Sequence, residues 1–311
     1  MNYTRDSTKR FLNFPLVMLS KTITAPDATL SDIGAFCLLE YAVYCEPKAA
    51  DALVQACYVA SRRPGETLPP DVERILCRQD VDDITGALPE CFADDDGGKF
   101  VENVGDLIET DHIELDTDER EALTRWCGLR RAAAFFGRSV LDVVELRRQH
   151  KRVQRICHEH EREFPPLCWC SVPADFAFEA EESRRDLDIF RCVAACRSLI
   201  GRHRFTGTTK AMIRCRMIGA KSGKAAEALC GNDHIRAEYE RLGRRRQFDN
   251  VLTDVACRGF LSKVGMDRRI YMSTEAQSPQ DLVGMVGMFK KAKRRREYRK
   301  KERAARASME G

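Results

Sequence analysis

Arg244, Arg245, Arg246, Gln247 and Asn250 lie just ahead of, and within, a run that carries Phe248, Val251, Leu252 and Val255 at i, i+3, i+4 and i+7. This spacing predicts a helix that buries one apolar side and leaves its N-terminal polar residues in solvent. The chemistry such residues suit is base-edge recognition. An Arg fork can pair bidentately with guanine, and a Gln or Asn amide with adenine. Lys263, Arg268 and Arg269 surround a predicted Gly/Asp turn between the β-prone runs FLSKV and RRIYMS, where they would reach phosphate or a minor groove. Lys210 and Arg214, on the predicted TTKAMIRCRMIG helix, complete the candidate set. Three arginines at a helix N-terminus oppose the macrodipole, by about 0.3–1 kcal/mol each. A phosphate-rich partner therefore accounts for them better than fold stability does.

The elements that must position these residues span 183–275. SRRDLDIFRCVAACRSLIG reads as an amphipathic helix and RHRFTG as a short strand. TTKAMIRCRMIGAKS is a helix capped by Thr208 or Thr209 and closed by Gly219. KAAEALCGNDHIRAEYERLG is a helical insert, and RRRQFDNVLTDVACRG is a helix closed by Gly259, ahead of the hairpin. This order resembles a winged-helix domain, and NVLTDVACRGFLSKVGMDRRIYMS resembles the end of that fold closely. The resemblance implies a recognition helix beginning near Arg244 and a wing around Arg268. The chain departs from the family at about 220–243, where most winged helices have a short turn.

Charge is unevenly placed. Residues 1–120 carry 11 Lys/Arg against 24 Asp/Glu, whereas residues 121–311 carry 41 against 24. A basic half of this size is the footprint of a polyanion partner. Arg outnumbers Lys by 38 to 14, which suits phosphate and guanine, although a GC-rich genome also enriches Arg codons. Residues 289–306, FKKAKRRREYRKKERAAR, hold 11 Lys/Arg and two Glu and read as a solvated, helix-prone arm that does not pack alone. It lacks the large apolar face that a membrane-surface helix needs.

Other motifs lead less far. Asp94, Asp95 and Asp96 beside two glycines read as a solvated loop. Cys157, His158, His160, Cys168 and Cys170 are close in sequence, but their spacing does not match common zinc knuckles, and two helical residues two apart face opposite ways. GAKSGKAAEAL resembles a phosphate loop only loosely, because its glycine and lysine spacing is wrong and no buried strand precedes it. LRRAAAFFGRSVLDVVELRR, within two long helices predicted over 117–163, has the cadence of a helix-turn-helix around Gly137 but reads better as a packing hairpin. The fourteen cysteines are scattered, with Cys37, Cys196 and Cys257 on apolar helix faces, which points to reduced thiols and a cytoplasmic chain. No run of 18 uninterrupted apolar residues exists, so no membrane-spanning helix is expected. No catalytic motif, metal site or cofactor site is expected.

The fold class implied is mostly α. An acidic helical N-terminal domain would cover 1–165, with a first helix capped by Ser31. A winged helix-turn-helix domain with a β-hairpin wing would cover 175–280, and a basic arm 281–311. The opening FLNFPLVMLSKTITAPDATLSDIGAFCLLEYAVY is similar to that of phage and plasmid replication initiators and replisome organisers. That resemblance implies sequence-specific duplex DNA binding in replication initiation of a mobile element. DNA would be the partner, with other replication proteins held by the acidic domain and self-association accommodated. A transcription regulator of a mobile element, a protein-binding adaptor and a nuclease with an unrecognised site are the alternatives.

Overall fold

The computed structural model describes residues 11–63, 68–78, 97–109, 113–136, 142–173 and 184–310. Among these the chain is mostly helical, with two small antiparallel sheets. It divides into two units, residues 1–33 with 151–311, and residues 34–150. The expected boundary at 165–175 is therefore not where the chain divides. Strand pairing is the reason: β1 (Phe11–Pro15) runs antiparallel to β2 (Trp169–Pro173), which ties the N-terminus to the C-terminal half. The charge asymmetry follows the observed division. The first unit has 39 Lys/Arg against 24 Asp/Glu, the second 13 against 24.

The acidic unit is helical. A core of Leu53, Cys57, Ile75, Val104, Leu123 and Trp126 is drawn from α3 (Ala49–Arg62), α4 (Pro70–Arg78), α5 (Gly97–Glu109) and α6 (Thr117–Phe135). A reciprocal capping box starts α6: Asp116 accepts from the Glu119 N–H at 2.8 Å, and the Glu119 carboxylate accepts from the Asp116 N–H. Gly128 is needed inside that helix, because a Cβ there would lie 2.6 Å from the Ala42 carbonyl oxygen. The second helix expected over 117–163 is α7 (Val143–Glu163). Gly137, expected in a turn between the two helices, lies outside the described residues, as do Asp94, Asp95 and Asp96.

The chain passes between the units within α2 (Pro26–Ala42) and α7. Proline opens α2, so Ser31 is an interior residue and not the cap expected of it. Contrary to expectation, Pro26–Cys45 is long and apolar enough to cross a membrane, but 61% of its 18-residue apolar window is buried within the protein. It therefore passes as a core helix on the same test.

The basic unit is built on α8 (Arg184–Ile200), whose Ile189, Phe190, Cys192, Val193 and Cys196 are buried. The β1–β2 ribbon buries Leu12, Phe14, Cys170 and Val172 on one face, and Phe14 stacks on Phe190 at 5.7 Å. α1 (Met18–Thr24) follows β1. After α8 come β3 (Thr206–Thr208), α9 (Lys210–Met217), α10 (Gly223–Leu229), α11 (Asp233–Gly243), α12 (Arg245–Cys257), β4 (Ser262–Met266), β5 (Arg269–Ser273) and α13 (Pro279–Glu310). The three short strands form one antiparallel sheet in the order β3-β5-β4.

Local chemistry explains each boundary. Thr209 accepts from the Met212 N–H at 3.2 Å and caps α9. Gly219 ends that stretch with φ of 85°, and a Cβ there would meet the Ser20 nitrogen at 2.9 Å. The insert is two helices, capped by Ser222 and Asn232. α8 and α12 are held by reciprocal ion pairs, Arg185 to Asp254 at 2.5 Å and Arg258 to Asp186 at 2.9 Å. The hairpin turn is Asp267–Arg268, both with positive φ, as a two-residue turn between twisted strands requires. Gly265, expected in the turn, lies in β4 opposite Ile270. The basic tail is also more built in than expected. α13 begins at Pro279 and buries Leu282 and Val286 beside Phe205, Val264, Met266 and Tyr271.

Phe248, Val251, Leu252 and Val255 of α12 are all buried, as the spacing predicts. Leu252→Asp would put a carboxylate among them without a partner. The expected loss is more than about 3 kcal/mol, read as a lowered urea midpoint or loss of a cooperative transition.

Candidate nucleic-acid interface

Four helices of the basic unit follow one another from Lys210 to Cys257, and their N-termini differ. Side chains cap α9, α10 and α11, whereas Arg244 stands at the start of α12 with no side-chain cap. Arg244, Arg245 and Arg246 are exposed there, and the Arg245 side chain is 91% accessible. With the buried side of α12 facing α8, the opposite side presents Arg246, Asn250, Thr253 and Cys257 to solvent. Cys257 is thus exposed, contrary to expectation, whereas Cys37 and Cys196 are buried.

Asp249, which sequence reasoning passed over, stands among three cations. Its carboxylate meets Lys210 Nζ of α9 at 2.5 Å and Arg245 Nε at 3.8 Å. It also draws Lys263. The signal in the sequence was the i, i+4 pairing of Arg245 with Asp249. Lys263 is not at the wing tip. It sits half-buried in β4 and donates from Nζ to Thr253 Oγ1 at 2.9 Å. Burial lowers its pKa, an effect that Asp249 opposes. Lys210, Arg245, Asn250 and Lys263 thus form one surface at the junction of α9, α12 and β4.

Arg268 and Arg269 are exposed at the hairpin turn. Arg268 holds φ of 61°, a left-handed conformation that Gly or Asn adopts with less strain. Two candidates are placed elsewhere. Arg214 is half-buried, with its guanidinium 4.5 Å from the Tyr239 ring centroid, and it donates to the Tyr239 carbonyl oxygen at 3.2 Å. It packs α9 on α11, because a guanidinium stacks well on an aromatic face. Gln247 is half-buried and its Oε1 is turned away from solvent, without a partner among the described residues. Both are therefore less accessible than the exposed Arg244, Arg245, Arg246 and Asn250.

The weaker motifs disperse. Lys221 of the loose phosphate-loop match donates to the carbonyl oxygens of Phe164, Pro165 and Pro166, tying down the segment before β2. Cys170 donates to the Phe14 carbonyl oxygen at 3.4 Å inside the ribbon, and His160 packs on Phe164. Among the described residues no three His, Cys, Asp or Glu side chains gather as a metal site would require. Burial pushes the Cys57 thiol up to about 12 and that of Cys157 to about 11, so both are poor nucleophiles near neutrality. Compared with known proteins, the chain matches no family model, no curated protein and no solved structure.

Proposed function

We propose that the basic unit contains a winged-helix domain, over about 175–280, that binds duplex DNA in a sequence-specific manner. The observation that carries this reading is the exposed, uncapped, Arg-rich start of α12 beside a basic hairpin, on a frame of helix, strand, four helices and hairpin, in which α10 and α11 are the insert, with strand order β3-β5-β4. α12 enters the major groove with Arg244, Arg245, Arg246 and Asn250 toward base edges and phosphates. The hairpin, with Arg268 and Arg269, contacts backbone or minor groove as the wing. Lys210 and Lys263 flank α12 and position it on phosphate. The strained Arg268 supports this reading, since a locally unfavourable residue is common where function needs the side chain. The opening FLNFPLVMLSKT, now β1 and α1 of the same unit, supports assigning this binding to replication initiation of a phage, plasmid or other mobile element in a cytoplasm.

Selection of bound sequences from a random duplex pool tests the reading. A consensus occurring as repeats within the protein's own coding region supports initiation. A consensus confined to a promoter supports transcription regulation instead. On the selected site, Arg245→Ala or Asn250→Ala should weaken binding by about 1–3 kcal/mol and cost much less on random DNA. Arg268→Ala should weaken both alike, because phosphate contacts carry no sequence. If Arg245→Ala and Asn250→Ala are both silent, α12 is not the reading helix.

A further inference from the structure

The segment of α13 beyond its buried first turns carries nine Lys/Arg between 290 and 301, with Glu297 the one acid there. Side chains 291–301 are exposed on every side of the helix. Lys291, Arg295 and Arg299 follow at i, i+4 and i+8, and Arg296 and Lys300 at i, i+4, so like charges stack along the surface and oppose the helix. Lys293 and Glu297, 3.9 Å apart, provide one opposite-charge pair in this stretch. A polyanion lying against such a helix would relieve the repulsion. No apolar stripe exists there for a membrane or a protein core.

The root of this segment is fixed to the hairpin. Phe289 packs edge-on against Phe205 at 5.5 Å, and Leu282 and Val286 are buried beneath. Lys290 donates to the Asp267 carboxylate at the turn and lies 5.3 Å from the Tyr271 ring centroid. Asp267 is held below its usual pKa mainly by the hydrogen bond from Lys290, then by its charge, with Arg294 adding to the effect. Arg294, one turn on from Lys290, thus lies near the hairpin tip that carries Arg268 and Arg269. A helix anchored in this way keeps a set direction from the tip, whereas a free arm would sample many.

We propose that the hairpin and α13 residues 290–301 form one rigid duplex-DNA contact, in which α13 lies along the sugar-phosphate backbone past the wing and lengthens the bound site on that side alone. This rests on the duplex-binding reading above. Twelve helical residues rise about 18 Å, the length of about five base pairs.

Hydroxyl-radical footprinting of the full chain on its selected duplex tests it, using two variants. The first combines Lys291→Gln, Arg295→Gln and Arg299→Gln. The second inserts Gly-Ser-Gly-Ser after Lys290, which keeps every charge and the Phe289 and Lys290 anchors but frees the helix beyond. Both alter exposed positions, so an unchanged thermal transition is expected. The parent should protect about five base pairs on one side beyond the wing, and both variants should lose that flank. If three phosphates are engaged, the first variant should also bind with a salt exponent smaller by about 3. The insertion variant should keep most of its salt exponent. A flank that survives the triple substitution overturns the contact, and one that survives the insertion overturns its rigidity. A parent footprint that ends at the wing defeats this proposal while leaving the α12 reading intact. A parent that binds no duplex defeats the underlying reading and this proposal with it.

Discussion

Glu238→Ala should destabilise the basic unit by about 3–5 kcal/mol, although Glu238 is not among the residues assigned to DNA. Its carboxylate accepts from Arg191 Nη1 at 2.8 Å, Arg241 Nη2 at 2.6 Å and Arg184 Nη2 at 2.9 Å. Arg191, 3% accessible, also donates to the hydroxyl and carbonyl oxygens of Thr22, at 2.9 and 2.7 Å. Arg241 reaches Asp188 at 2.5 Å. One buried network thus joins α1, α8 and α11. Removing Glu238 leaves two arginines sharing the Asp188 carboxylate, an uncompensated charge in a low-dielectric interior. Burial by itself would raise the Glu238 pKa, but hydrogen bonds from Arg241 and the charges of Arg191 and Arg241 outweigh it and lower it to about 2. The folded carboxyl therefore titrates below its unfolded value of 4.5. Its stabilisation is complete above that pH and is lost as pH falls toward 2. Urea unfolding at pH 7 and across pH 5 to 2 checks both parts. The gap between parent and variant should be largest at neutral pH and close on acidification. A variant within about 1 kcal/mol of the parent at pH 7 would mean that the network contributes little net stability.

Duplex affinity should fall about a thousand-fold between 50 and 200 mM monovalent salt, if about six phosphates are contacted and binding follows roughly the fifth power of salt. The expectation follows from where the charge resides. The basic unit has a net charge of +15 and the acidic unit −11, so an overall value of +4 understates the field a polyanion meets. On the proposed reading, exposed cations at the start of α12, at the hairpin turn and along α13 would supply the contacts. Fluorescence anisotropy with a labelled selected duplex across that salt range measures the slope. A binding constant that is flat in salt would contradict phosphate-dominated binding, and with it the reading of the basic unit.

Much of the candidate surface was legible in the amino-acid order, because the signals involved are local. The period of Phe248, Val251, Leu252 and Val255 determined which side of α12 is buried, and so which polar residues remained in solvent. Gly219 and Gly259 ended segments where a positive φ is needed, and Thr209 capped α9 through its own side chain. The charge runs showed that positive charge is concentrated in the C-terminal half of the chain. The turn was placed slightly early because Gly265 is the usual turn residue, whereas the chain uses Asp267 and Arg268 at positive φ.

The rest depended on partners far apart in sequence, which no local pattern encodes. β1 pairs with β2 across more than 150 residues, so the N-terminal segment belongs to the basic unit and the division falls within α2 and α7, away from the prolines at 165–173. Arg214 and Arg245 are the same residue type on neighbouring helices. Only packing decided that one stacks on Tyr239 and the other stays in solvent. The 220–243 insert looked like an interruption, yet Glu238 and Arg241 within it join a buried charge network, which is stable only when every member has its partners in place. The basic tail read as a solvated, helix-prone arm, which its exposed helical stretch 291–301 is, but its composition did not show the apolar surface that receives Leu282 and Val286 at its root. Composition and periodicity determined what each segment can do. Tertiary structure decided which side chains remain available to do it, because burial and pairing consume polar groups that look alike in the sequence.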